Sequence, residues 1–181
     1  MTSKEDPPAH LKSLDRLTQK AASGQELVAA RLGKKIVSIQ SNAPEFPRTF
    51  LDTNILFYAE DAKESRKREI AVQLILDHRR QHTGVVSLQV LQEFFVNTTR
   101  KLGLDPSIAR YKVEFHARFD VVEPSVADLL AAIDIHRLRG ISFWDALILH
   151  CAKKAGCREL LTEDMQHGQV IDSVRIVNPF L

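Results

Sequence analysis

Four carboxylates in this sequence, Asp52, Glu93, Asp145 and Asp164, stand where a folded chain could gather them into one pocket. Such side chains repel one another: two unit charges about 4 Å apart cost roughly 4 kcal/mol at an effective dielectric of about 20, so a cluster calls for a cation or for bound protons. Oxygen ligands without histidine or thiolate favour Mg2+ or Mn2+ over zinc. These ions keep several waters and coordinate phosphate, so the chemistry they imply is hydrolysis of a phosphodiester. The ion would lower the pKa of an attacking water, orient it in line and neutralise charge on the leaving oxygen.

Each acid also has a plainer reading. Asp52 follows the apolar run Thr49-Phe50-Leu51, where it either points into a crevice at a strand end or caps the next helix, as Asn54 also could. Asp164, in Leu161-Thr162-Glu163-Asp164, either faces Asp52 from a neighbouring strand or is a loop residue. Glu93 lies in an apolar stripe just before Phe94 and Phe95, where a buried carboxylate needs a partner, and Asn97 is in reach at i+4. It could equally be a helix-boundary glutamate. Asp145 sits three residues after Ser142, the spacing of a capping box; the same helix start would supply positive potential to a carboxylate cluster.

The elements that must position these residues follow from hydrophobic periodicity. From Arg48 onward, short apolar runs alternate with amphipathic segments, which predicts an α/β fold with a parallel sheet flanked by helices. Five strands are expected, at Thr49–Leu51, Gly84–Val86, Asp120–Val122, Glu159–Leu161 and Val174–Val177. Helices are expected over Ser65–Arg80, Ser87–Lys101, Ser107–His116, Ser125–Arg137 and Ser142–Lys154. If the first and fourth strands are neighbours, Asp52 and Asp164 meet at the point where the chain direction switches.

Residues 1–47 form an extension that ends in the turn-rich linker Asn42-Ala43-Pro44-Glu45-Phe46-Pro47, which separates it from a domain over 48–181. Within it, 11–22 has helical spacing, and 26–31 with 34–39 reads as a hairpin around Leu32-Gly33.

With 181 residues the chain has room for one domain and an extension. A hydrophobic fraction of 44% and a charged fraction of 27% describe a packed protein, and a net charge of +2 is too small for a polybasic nucleic-acid binder. Any nucleic-acid contact must come from local clusters. Cys151 and Cys157 have no companion pair for zinc or for a disulfide framework, which points to a reduced, intracellular protein. No apolar leader is seen, and the longest apolar stretch, around Ala146 to Leu149, is far too short to span a bilayer. A cytoplasmic protein with no membrane contact is expected.

Leu51-Asp52-Thr53-Asn54-Ile55, Leu91-Gln92-Glu93-Phe94, Phe143-Trp144-Asp145-Ala146-Leu147-Ile148 and Leu161-Thr162-Glu163-Asp164, in this order and at this spacing, resemble the PIN-domain nucleases. The size is similar to that of VapC-type toxins of type II toxin–antitoxin pairs. The resemblance runs from about Thr49 to the C-terminus and implies a five-stranded parallel sheet between helices and Mg2+- or Mn2+-dependent endoribonuclease activity. It implies Asp52 and Asp145 as principal metal ligands, Asp164 completing the shell, and Glu93 acting through water or on a second ion. Asn54 fits the family's Asp-Thr-Asn opening and would orient Asp52; Thr162 matches a hydroxyl often found beside the last acid, or is simply a strand-end residue. The resemblance also implies an RNA substrate, a homodimer, and an antitoxin whose tail places an arginine in the acidic pocket. The extension departs from it. Residues 17–37 faintly resemble the helix-and-hairpin core of Phd-type antitoxins; a fused remnant, an unrelated arm and a start codon assigned too far upstream all remain open.

Arg66-Lys67-Arg68, Arg79-Arg80, Arg137 with Arg139, and Lys153-Lys154 could grip phosphates, although solvated helix faces are the commoner use of such clusters. Trp144 could stack on a base, but packing against the sheet is favoured. His150, near Phe143 and Leu147 on its helix, reads as a core or boundary histidine and not a general base. A phosphoryl-accepting aspartate protein also places an Asp after the first strand, but the dehalogenase type wants a second acid where Asn54 stands. The receiver type wants an acidic pair at the first strand and an acceptor Asp after the third. No glycine-rich turn supports dinucleotide binding. An inactive PIN-fold interaction module, or an RNA-processing nuclease that is not a toxin, stays open. Which RNA is cut, transfer or ribosomal, has no readable code in the sequence.

Overall fold

Thr49–Leu51, all without exposed surface, form the central strand β1 of a six-stranded sheet in the computed structural model, which describes residues 46–181. The other strands are β2 (Gly84–Ser87), β3 (Asp120–Val122), β4 (Glu159–Leu161), β5 (Val170–Ile171) and β6 (Val174–Val177). The helices are α1 (Thr53–Tyr58), α2 (Ser65–Arg80), α3 (Leu88–Lys101), α4 (Pro106–His116), α5 (Val126–Arg139) and α6 (Phe143–Lys154). The expected helix and hairpin of the extension lie outside the described residues. The chain divides into two units, Met1–Ala43 and Pro44–Leu181, and the sheet and its helices belong to the second.

The strand order is β3-β2-β1-β4-β6-β5. From β1 the chain steps outward to β2 and β3, then returns to the other side of β1 as β4, with Thr49, Phe50 and Leu51 in register with Glu159, Leu160 and Leu161. β1 and β2 are buried along their whole length, as strands covered on both faces must be. All five expected strands are present and parallel. The sixth corrects the expected five: β5 pairs antiparallel with β6 through a two-residue turn, Asp172-Ser173, with φ of 50° and 72°. Positive φ at both positions is the two-residue hairpin geometry that Asn-Gly usually announces, and this pair carries no glycine.

Helix ends follow local chemistry. Ser87 Oγ accepts from the Val90 N–H, Ser125 and Asp128 form a reciprocal capping box, and Pro106 opens α4 behind an Asp105 cap. The serines at 87, 125 and 142 thus stand one residue before their helices and not inside them. Gly140, at φ 68°, closes α5 in the left-handed region. Asp128 also ties α5 to α6: Oδ1 lies 2.9 Å from His150 Nε2 and Oδ2 accepts from Lys154 at 2.6 Å. Lys154, the largest influence, and Ser125 hold this carboxyl well below the usual range.

At the start of β2, Gly84 lies under Phe119; a Cβ there would come within 2.6 Å of the ring. Cys151 and Cys157 are free, buried thiols, and burial pushes them up to about 11 and about 12. Among the described residues, no helix is long and apolar enough to cross a membrane.

Candidate functional site

The direction switch between β1 and β4 leaves a crevice at the strands' carboxyl ends. Asp52 sits there, its N–H bonded to Leu161 O across the two strands at 3.1 Å. Oδ1 accepts from the Thr53 N–H at 2.6 Å, which caps α1; Oδ2 accepts from Thr162 Oγ1 at 2.7 Å and from Asn54 Nδ2 at 3.1 Å. Asp52 therefore does both things its sequence position allowed. It is 6% exposed. Burial pushes its carboxyl up to about 7, against the pull of the Thr162 and Thr53 hydrogen bonds and with added repulsion from Asp164 and Glu93.

Asp164 is exposed at the rim, where Oδ2 accepts from Asn54 Nδ2 at 3.2 Å and its N–H is bonded to Thr162 Oγ1 at 3.1 Å. Asn54 Nδ2 thus spans Asp52, Thr162 and Asp164. Thr162 has no exposed surface, so its hydroxyl organises the two acids from beneath. Glu93 enters from α3, with Oε2 accepting from Thr53 Oγ1 and Oε1 from Gln89 Nε2, both at 2.8 Å. Its helix partner is Gln89 at i−4 and not Asn97, although Asn97 lines the same cavity. Asp145 begins α6, where Ser142 Oγ accepts from its N–H at 3.1 Å. No return bond joins the Asp145 carboxylate to the Ser142 N–H, in contrast to the Ser125–Asp128 box, so that carboxylate is left to face the cavity.

All four acids line one cavity of about 330 Å³, together with Asn54, Gln89, Asn97, Lys101 and Trp144. Tyr58 and Glu163 form another part of its wall. The Tyr58 hydroxyl donates to Glu163, and Lys67 Nζ, 2.6 Å from the same carboxylate, lies 4.2 Å over the Tyr58 ring. The Glu163 bond, the largest influence, raises the Lys67 ammonium above its ordinary value, and Lys67 and Glu163 form an ion pair at 2.6 Å.

Among the described residues, no three Asp, Glu, His or Cys side chains stand close enough to enclose an ion by themselves. The acids instead ring a space that admits water between them, a donor set suited to a hard divalent cation that keeps part of its hydration shell. Two amide oxygens of residues at the cavity, Asn54 Oδ1 and Gln89 Oε1, are buried without a hydrogen-bond partner. Such orphans favour an added donor or cation nearby.

One expectation is overturned. Trp144 does not pack against the sheet; it is 58% exposed and lines the cavity. Most of the basic clusters are paired on helix faces away from the cavity, Arg80 with Asp77, Arg139 and Lys153 with Asp172, and Lys154 with Asp128, while Lys67 is held by Glu163 in the cavity wall. The basic residue at the cavity is Lys101, which belongs to none of those clusters. Its signal is the α3 row Gln89, Glu93, Asn97, Lys101, each four positions from the last and all on one helix face. Thr53 carries no signal of its own in the sequence beside the stronger one of Asp52.

With this geometry in view, comparison with known proteins defines the class. The PIN domain family model matches residues 49–171, and the chain belongs to that family. A toxin–antitoxin complex from Klebsiella pneumoniae superposes with a TM-score of 0.53 at 20% identity, over 72% of this chain and 97% of the other. VapC20 of Mycobacterium tuberculosis, described as a sarcin-ricin loop cleaving toxin, gives a TM-score of 0.48 at 18% identity, over 62% and 86%. No curated protein matches the sequence. At these identities the likeness is one of fold.

Proposed function

We propose that this PIN domain is a Mg2+- or Mn2+-dependent endoribonuclease, and that it serves as the toxin of a toxin–antitoxin pair. The observation that carries the reading is the setting of Asp52. It is a nearly buried carboxylate on the floor of a cavity, fixed by Thr53, Asn54 and Thr162, with Glu93, Asp145 and Asp164 around the same space. Asp52 and Asp145 would be the principal ligands of the ion, Asp164 an outer one, and Glu93 would act through water or on a second ion. When bound, the ion supplies Lewis acidity toward a phosphodiester and its attacking water.

The chain's own residues set the stage for that chemistry. Thr162 and Asn54 hold the Asp52 carboxylate in one orientation, so little reorganisation is needed on loading. Thr53 and Gln89 do the same for Glu93. In the metal-free protein burial raises the Asp52 carboxyl to about 7, so loading the ion would displace a proton from it below neutral pH. The Klebsiella structure of similar fold is a toxin–antitoxin complex, which favours a cognate antitoxin for this chain as well; a homodimer is the toxin form we propose with it.

The test is cleavage of total RNA by the full-length protein with Mn2+, read by mapping new ends, beside Asp52→Asn and Asp145→Asn. Asparagine keeps the α1 cap, so the fold survives. Cleavage should fall by at least about 100-fold in each variant, and induced expression should arrest growth only with the parent. A folded parent that cuts no RNA, or variants that cut as well as the parent, would remove the nuclease reading. Cutting without growth arrest would remove the toxin reading alone.

A further inference from the structure

We propose that Trp144 is the stacking platform for an unpaired nucleobase of the bound RNA, with the strand's backbone running toward Lys101. The proposal rests on the ribonuclease reading of the cavity and adds the residue that positions a base of the substrate.

Three observations carry it. First, Trp144 keeps 58% of its surface in water, while Ala146, Leu147, Ile148 and Leu149, just after it on α6, are buried. A large aromatic at the rim of a polar cavity is a surface a ligand can cover, and an indole suits a ligand that is flat and apolar on its faces and polar at its edge. Second, the ring is steadied: its centroid lies 5.1 Å from that of Phe143 at 63°, and Phe143 packs on the core. An edge contact of this kind leaves a face of the indole open. Third, the cavity has a polar track on α3. Gln89, Glu93, Asn97 and Lys101 line it at successive i+4 positions, a row of about 18 Å at 1.5 Å per residue.

Lys101 ends that track. Among the described residues it has no carboxylate partner, whereas Lys67, Lys112, Lys153 and Lys154 each have one. A cation at one end, acids in the middle and an open indole beside Asp145 fit a strand with a phosphate at Lys101 and a base turned onto Trp144. A duplex keeps its bases stacked inside and offers no free face, whereas unpaired loops and ends do. Aromatic stacking tolerates any base, so sequence preference would arise elsewhere.

The chain has a single tryptophan, so its fluorescence reports this site alone. Full-length Asp52→Asn protein, which keeps the cap but should not cut, is titrated in Mg2+ with labelled oligoadenylate, with oligouridylate, and with the duplex the two form. Emission should be quenched saturably by the single strands and not by the duplex. In the same background Trp144→Ala should weaken single-strand binding, read by anisotropy, about 10- to 100-fold, with Trp144→Phe restoring most of it. Lys101→Gln should flatten the salt dependence of binding. Unquenched emission at saturating single strand, equal binding of the duplex, or Trp144→Ala binding like its parent would each overturn the proposal. Quenching by an arginine-containing peptide but by no RNA would overturn it in favour of a peptide occupant. If RNA binds and quenches as expected but no RNA is ever cut by the parent, the nuclease reading fails and the stacking site stands. If cutting of single strands is unchanged by Trp144→Ala, only the stacking site fails.

Discussion

Thr162 Oγ1 donates to Asp52 Oδ2 at 2.7 Å, joining residues that follow two neighbouring parallel strands. That hydrogen bond opposes the rise in the Asp52 pKa that burial causes. Thr162→Val should therefore raise the pKa further and move the acid limb of the kcat/KM profile to higher pH, while Thr162→Ser leaves it in place. Stability should drop by about 1 kcal/mol, because a buried acceptor loses the closer of its two donors. A purely structural role would lower the unfolding midpoint and leave the limb where it was.

Asp52 also makes stability depend on pH in metal-free protein. Its pKa rises from 3.8 to about 7 on folding, so the folded chain holds this proton more tightly than the unfolded chain does. The stabilisation this gives is fully present below 3.8 and is lost as pH climbs to about 7. The size is of the order of 4 kcal/mol at most. Denaturant unfolding in chelator should show Asp52→Asn gaining on the parent between pH 5 and pH 8. A constant difference across that range would refute the assignment of the group.

Divalent ions should reverse that loss. With Mn2+ at about 100 times its dissociation constant, the stabilisation is about 2.7 kcal/mol, which raises the melting temperature by roughly 5–10 °C in a chain of this size. Asp145→Asn should show a much smaller rise. A parent melting curve indifferent to Mn2+ and Mg2+ would contradict ion binding at this cavity.

Gly84→Ala should destabilise the fold by about 1–3 kcal/mol, because the new methyl would meet the Phe119 ring at 2.6 Å. Phe119→Leu in the same chain should recover part of the loss. Equal unfolding midpoints for Gly84→Ala and the parent would show that the ring gives way freely.

The sheet is legible in the sequence because its strands are short, apolar and separated by strongly periodic helices. β1, at Thr49–Leu51, is buried on both faces and reads so in sequence. α1 escapes because six residues are too few to show a helical period, and β5 because Asp172-Ser173 adopts a turn that its residue types do not announce. Asp52, Glu93, Asp145 and Asp164 can be chosen by residue type and position relative to elements. Their partners cannot. Gln89 and Thr53 reach Glu93 only through the way α1 and α3 lie together, and the fate of each lysine and arginine depends on which acid it meets in space. Trp144 misleads because an apolar helix start reads as buried, whereas the rotation of α6 leaves that one ring outside.

The two-residue turn at Asp172-Ser173 bears on how these molecules meet one another. Folding Val170 and Ile171 back along Val174–Val177 fills the hydrogen-bonding side that β6 would otherwise offer to a foreign strand. What remains is a border two residues long, flanked by Asp172 with its attached Arg139 and Lys153. Polymerisation by strand addition along that flank has only a two-residue template to grow from.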